Sequence, residues 1–132
     1  MPVVETLNAA ATPLAALVKR VSAACAGPMD QLGETVRTVL HAASAERALL
    51  SAQQKAGLSD RYARHLLHAD PAGRFTIVTI VWSPGQYTPV HGHYTWCGYV
   101  VIAGTLREES FDWMPESRGV THADSSDRFA GY

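Results

Sequence analysis

Apolar residues recur at three- and four-residue spacing in the first third of the chain and at strand-like spacing afterwards, so the sequence predicts helices first and sheet later. Thr12-Pro13 reads as an N-cap followed by proline at the first helical position, and Gly27-Pro28 reads as the stop. Between them Leu14, Leu17, Val18 and Val21 form one apolar stripe while Lys19 and Arg20 face elsewhere. A second helix is predicted from Asp30 to about Ala43, with Leu32, Val36, Val39 and Leu40 inward and Glu34, Arg37 and His41 towards water. Ser44 is positioned to cap a third helical segment through Ala48, Leu49 and Leu50, closed by the polar run Gln53-Gln54-Lys55-Ala56-Gly57.

From Tyr62 the period changes. Tyr62 to His68 and Phe75 to Trp82 read as strands joined by the turn Asp70-Pro71-Ala72-Gly73, and the β-branched, aromatic composition of the second on both parities predicts a central strand covered on both faces. Ser83-Pro84-Gly85 makes the next turn, followed by strands over Thr88 to His93, Gly98 to Ala103 and Leu106 to Trp113. The expected architecture is mainly β: a jelly-roll barrel over 61–132 with helices of 1–60 packed on it, an α+β arrangement forming one structural domain.

Composition narrows the partners. A chain of 132 residues, 47% apolar, with 11 basic and 12 acidic residues, fits a single domain without a polyanion partner, so neither nucleic acid nor membrane is expected. Leu14 to Val18 followed by Ser22-Ala23-Ala24-Cys25 has the outline of a lipoprotein signal, but Lys19 and Arg20 lie inside the apolar run rather than before it. Two distant cysteines form neither a disulfide framework nor a zinc motif, and a reducing, cytoplasmic location is expected.

Candidate chemistry concentrates in Gly85 to Gly104. On an extended strand residues two apart share a face, so His91 and His93 can hold one ion between their imidazoles, with Gly92 adding no bulk between them. Paired imidazoles suit iron, zinc, copper or nickel rather than magnesium or calcium. The alternative is a polar turn beside Tyr94 and Trp96. Upstream, Arg61-Tyr62-Ala63-Arg64-His65-Leu66-Leu67 places Arg64 two residues after Tyr62, on one face by period two. A planar guanidinium can grip a carboxylate through two parallel hydrogen bonds, although Arg61 competes for that role and a surface ion pair is the ordinary use of either. His65 and His68 are left outside the site, because interior strand histidines usually donate to a backbone carbonyl, and Trp82 and Trp96 read as packing.

Glycine, five residues, H-x-H, three residues, Cys97, six residues and Gly104 resembles the first cupin signature, with cysteine where most cupins have glutamate. Together with Gly104-Thr105-Leu106-Arg107-Glu108, Phe111-Asp112-Trp113 and the upstream Arg61 to Leu67 motif, the pattern is similar to the thiol dioxygenases, and most of all to cysteine dioxygenase. The resemblance implies an iron(II) enzyme with His91 and His93 as metal ligands, Arg64 holding the substrate carboxylate, and Tyr62 lining the pocket. It implies a small thiol substrate, cysteine, oxidised with O2 to its sulfinate. Relatives that oxidise 3-mercaptopropionate resemble this pattern but carry a glutamine in the corresponding region, so the arginine favours cysteine. Two readings of Cys97 stand: half of the thioether to a later tyrosine that the family can form, or a small buried apolar residue.

The family pattern would continue into a second motif supplying a third histidine, a glycine turn and two more strands. His122 is the only histidine after His93, and Gly119 to Asp127 lacks that motif's proline, glycine and asparagine spacing and reads as loop. The sequence therefore predicts an incomplete barrel, with a non-catalytic cupin that binds metal weakly or self-associates as the alternative to an active enzyme. A zinc or nickel cupin is less favoured, because those keep the glutamate.

Overall fold

The computed structural model describes residues 12–132, so the first eleven residues of the expected helical unit 1–60 lie outside it. Helix α1 (Pro13–Ala26) begins as the sequence predicts. Thr12 is extended, its Oγ1 accepts the Ala15 N–H at 3.1 Å, and Pro13, which has no N–H to lose, fills the first position. A single 3-10 turn, Met29–Gln31, leads into helix α2 (Leu32–Ser44). The two apolar stripes meet in a small core of Leu17, Val21, Ala43 and Leu49, against which Leu14, Val39, Leu40, Phe75 and Ile77 pack. No helix among the described residues is long and apolar enough to cross a membrane.

The segment after α2 corrects the expectation of a third helix. Ser44 Oγ donates back to His41 O at 2.6 Å, closing α2 instead of opening a new helix, and the chain continues as turns that bury Leu49. A hydroxyl offers the backbone an alternative to helical pairing, and here that alternative prevails.

Strands β1 (Ala63–Ala69) and β2 (Thr76–Val81) form the expected antiparallel hairpin, with Ala63 opposite Val81, Ala69 opposite Thr76 and a bulge between Leu66 and His68. Its turn is built by Asp70, whose carboxylate accepts the Arg74 main-chain N–H at 3.0 Å and the guanidinium at 2.8 and 3.2 Å, and by Gly73 at φ +70°. Arg74 also donates to Ser22 Oγ at 2.7 Å, fastening the hairpin to α1. The second strand is not central, however: among the described residues β2 pairs only with β1, and Ile80 is 40% exposed.

The remaining strands, β3 (Thr105–Met114) and β4 (Gly119–Phe129), form a second hairpin. Here the expectation of a loop over 119–127 fails, because the register Glu108 to Ser126 and Trp113 to Val120 satisfies main-chain groups that a loop would leave to water. The stretch between the hairpins departs in the opposite sense. Thr88 to His93 and Gly98 to Ala103 were expected as strands, yet residues 82–104 are irregular, since no neighbouring strand accepts their ladder and Pro89 has no N–H to contribute. The described residues thus form two helices followed by two separate two-stranded sheets, a mixed α+β arrangement without a closed barrel.

Two consequences follow for stability. Leu17→Ala should cost about 2–3 kcal/mol in urea unfolding, the lower part of the range for a buried leucine because the core is small, whereas Val120→Ala on the exposed hairpin should stay within ~0.5 kcal/mol. Asp70 is held from its ordinary 3.8 down to about 2, chiefly by its hydrogen bonds from Arg74. Its contribution is therefore present above pH 4 and lost as pH falls from 3.8 towards 2, so the difference in unfolding midpoint between Asp70→Asn and the unaltered chain should shrink across that window.

Candidate functional site

The motif begins at a side-chain bolt. Gln86 Oε1 accepts Ser83 N–H at 2.7 Å, while Gln86 Nε2 and Ser83 Oγ donate to Leu58 O at 2.7 and 3.2 Å, tying the turn after β2 to the chain ahead of β1. Gly57 permits this approach, since a Cβ there would lie 2.9 Å from Ser83 Oγ. Gly85 and Gly104, at φ +85° and +75°, make the left-handed turns at the two ends of the segment.

His91 and His93 remain neighbours although their backbone is not a strand. Their ring centroids are 5.0 Å apart with planes at 70°. His91 Nδ1 lies 2.8 Å from Pro89 O, and because a carbonyl can only accept, Nδ1 carries the hydrogen. In the neutral ring this leaves the Nε2 lone pair for a ligand, the backbone-oriented arrangement usual for metal-binding histidines. An ion about 2.1 Å from one nitrogen of each ring, with the two bonds roughly 100° apart, would put the centroids about 5 Å from each other. The observed centroid separation matches that distance. Among the described residues no group of three or more His, Cys, Asp or Glu side chains is placed to hold an ion, so a third protein ligand is not assembled here.

The other candidates stand apart. Cys97 is an exposed free thiol. Arg64 lies on β1 opposite Ile80, exposed and in no ion pair among the described residues. Tyr62 sits just before β1, half-buried, with its ring 5.8 Å from that of Trp82. No hydrogen bond or ring contact joins Arg64 or Tyr62 to the histidine pair. His65 Nε2 donates to Ala56 O at 2.9 Å and His68 packs on Phe75, so neither is presented as a ligand. His122, on β4, is engaged by Ser125 Oγ at 2.7 Å and lies edge-on to Phe111, away from any ligand group.

Two groups of residues that spacing alone does not single out hold the motif's downstream half. The Trp96 indole covers the bare patches of two glycines: a Cβ on Gly33 of α2 would meet it at 3.9 Å, and one on Gly98 at 3.0 Å. Tyr99 OH donates to Glu108 Oε2 at 2.6 Å, and burial together with that carboxylate pushes its phenol up to about 12. Arg128 donates to Glu108 Oε1 at 3.3 Å and stacks its guanidinium 4.1 Å from the Tyr132 ring centroid, while its Nε is buried without a partner among the described residues. Val101 completes the contact through main-chain hydrogen bonds, donating to Tyr132 O at 3.0 Å and accepting from Gly131 N–H at 2.8 Å. Glu108 and Arg128 occupy half-buried alternate positions of the β3–β4 hairpin, where an inward-facing polar pair leaves no hydrophobic signal.

Compared with known protein families, the chain matches the family model for cysteine dioxygenase type I over residues 11–130. That span takes in Arg64, the histidine pair, Cys97 and both hairpins. The chain thus belongs to the cysteine dioxygenase type I family, dioxygenase-type oxidoreductases of the cupin class.

Proposed function

We propose that this chain is an iron(II)-dependent dioxygenase of L-cysteine, with His91 and His93 as metal donors, Arg64 and Tyr62 on the substrate side, and Cys97 beside the reacting centre. The observation that carries the reading is the adjacency of the two imidazoles, with His91 oriented by the Pro89 carbonyl, inside a chain of this family. The overall change adds both atoms of O2 to the substrate sulfur, so that R–SH and O2 become R–SO2H with no other reductant required, the sulfinic rung of thiol oxidation. Iron(II) held by the pair would supply the redox centre and favour the substrate's thiolate over its thiol.

The protein's own contributions follow from its residues. The Pro89 carbonyl fixes the His91 tautomer and aims Nε2. Arg64, with no acidic partner among the described residues, has all of its donors available for a substrate carboxylate. The half-buried Tyr62, braced by Trp82, would wall the substrate side. No carboxylate ligand stands at position 97, so the anionic charge is left for the substrate thiolate to bring.

Self-association is favoured by a separate observation. Trp113 and Val120 are cross-strand neighbours, and with Phe129 they are exposed on a two-stranded sheet whose edges are unpaired among the described residues. Light scattering across a concentration series would show association, and Trp113→Lys should abolish it; a monomer at every concentration removes this reading.

Oxygen uptake by the purified chain supplied with iron(II) should depend on cysteine and exceed that with 3-mercaptopropionate, with cysteine sulfinate as the product by mass spectrometry. No uptake with either thiol would count against the enzymatic reading. Arg64→Ala should raise the KM for cysteine by roughly 10- to 100-fold, the size of a lost charge-assisted pair, while leaving the KM for 2-aminoethanethiol, which has no carboxylate, nearly unchanged. Equal losses for the two thiols would show that Arg64 does not bind the carboxylate.

A further inference from the structure

Resting on the reading of His91 and His93 as metal donors, we propose that Trp96 and Tyr99 are positioning residues for that pair, Trp96 by seating the motif on helix α2 at Gly33 and Tyr99 by latching it to Glu108 of the β3–β4 hairpin. The need for such residues is physical. The histidine pair lies in irregular backbone, so no sheet ladder sets its position, and each ring is exposed. Rings placed this way hold a bidentate geometry only if the chain on either side is fixed. Upstream, Gln86 does this through Leu58. Downstream, the first fixed points after His93 are Trp96 and Tyr99.

Trp96 keeps 57% of its surface in solvent, more than a core residue would, yet its indole sits on the one patch of α2 that lacks a Cβ. Gly33 stands in the first turn of α2, and its missing Cβ leaves an open patch that the edge of the indole faces. Alanine at 33 would meet the indole at ordinary contact distance, 3.9 Å, whereas a larger side chain would have to displace it. Gly98 closes the other side: a Cβ there would lie 3.0 Å from Trp96 Cη2, too near for a rigid ring to accommodate without moving. Tyr99 then holds the strand-side end, its hydroxyl 2.6 Å from Glu108 Oε2 and its ring 6.3 Å from that of Tyr132. Cys97 lies between these two fixed points, so whatever sets them sets the thiol as well.

The test is cobalt(II) binding by the full chain, followed through its visible absorption with cobalt(II) chloride as titrant, with thermal unfolding recorded for each variant. Gly33→Leu and Tyr99→Phe should each weaken cobalt(II) binding ~10-fold, the lower end of what loss of a supporting residue around a metal ligand causes. Gly33→Ala, which leaves the indole at ordinary contact distance, should stay within about threefold of the unaltered chain, whereas Trp96→Phe removes the Nε1 and Cζ2 atoms that face Gly33 and should weaken binding as Gly33→Leu does. Tyr99→Phe retains the ring and removes one hydroxyl, so it remains informative even where Gly33→Leu fails to fold. Unchanged cobalt(II) affinity in Gly33→Leu and Tyr99→Phe, alongside its loss in the His91→Ala/His93→Ala double variant, would overturn the positioning role and leave the metal reading intact. Binding that survives the double variant, or none by the unaltered chain, would overturn both.

Discussion

Between Trp82 and Gly104 the main chain pairs with no strand among the described residues, and the placement of the histidine pair and Cys97 depends on how side chains make up for that. Ordering a residue costs about 1–2 kcal/mol of backbone entropy, and a single hydrogen bond returns about 1 kcal/mol net. Isolated contacts therefore fix the chain only where they occur. Three such places exist: the Gln86 bolt to Leu58, the Trp96 seat between Gly33 and Gly98, and the Tyr99–Val101 latch to Glu108, Gly131 and Tyr132. The segment from Tyr87 to Tyr94 lies between the first two, and apart from half-buried Thr88 its residues are exposed. The histidine pair thus occupies the span that its own sequence holds least, which makes the flanking contacts decisive for its geometry.

Helix α2 has a larger part in this than its core residues suggest. One end presents Gly33 to Trp96, and nearer the other His41 Nδ1 donates to Gly131 O at 3.0 Å, the residue whose N–H donates in turn to Val101 O. Gly33 and His41 are roughly 12 Å apart along a helix rising 1.5 Å per residue. A rigid helix so contacted at two points can act as a ruler for the intervening motif. Its own seat is the core of Leu17, Val21, Ala43 and Leu49, shared with α1 and closed by Phe75 and Ile77 ahead of and within β2. The core and the candidate site are therefore linked through α2.

Much of the secondary structure was legible because it follows local rules. Thr12-Pro13 and Gly27 bracket α1 by capping chemistry, the Leu32, Val36, Val39 and Leu40 stripe marks α2, and Asp70 to Gly73 announces the first hairpin. Where the reading failed, the deciding interaction was not local. Gly98 to Ala103 is apolar enough for a strand, but a strand needs a partner, and Val101 finds only two main-chain hydrogen bonds to Gly131 and Tyr132. Gly119 to Phe129 is polar enough for a loop, with Thr121, Asp124, Ser125 and Ser126 among its residues, yet it pairs with β3 from end to end except for a bulge at Ala123. The Glu108–Arg128 pair was illegible for a related reason: these are diagonal neighbours across a register that spacing within either strand cannot reveal. The His91–His93 pair was visible in spite of a wrong premise, since one glycine between two histidines keeps the rings close in this irregular backbone as it would on a strand.

The two imidazoles are not equivalent, and the difference bears on what the pair can bind. His91 is oriented in advance by Pro89, so little rotamer freedom remains to be lost when its Nε2 meets an ion, whereas His93 has no such hydrogen bond among the described residues and must give up its freedom on binding. A pair of imidazoles of this kind, one donor fixed and one adaptable, contributes no negative charge of its own. With cysteine rather than glutamate at position 97, a divalent ion held there would keep nearly its full charge until an anion arrived from outside. On the proposed reading a thiolate that carries a carboxylate is such an anion, and Arg64, exposed and in no ion pair among the described residues, would be the complementary charge for its other end. Within this set of charges, discrimination between thiols would rest on the guanidinium, and affinity for the sulfur on the metal.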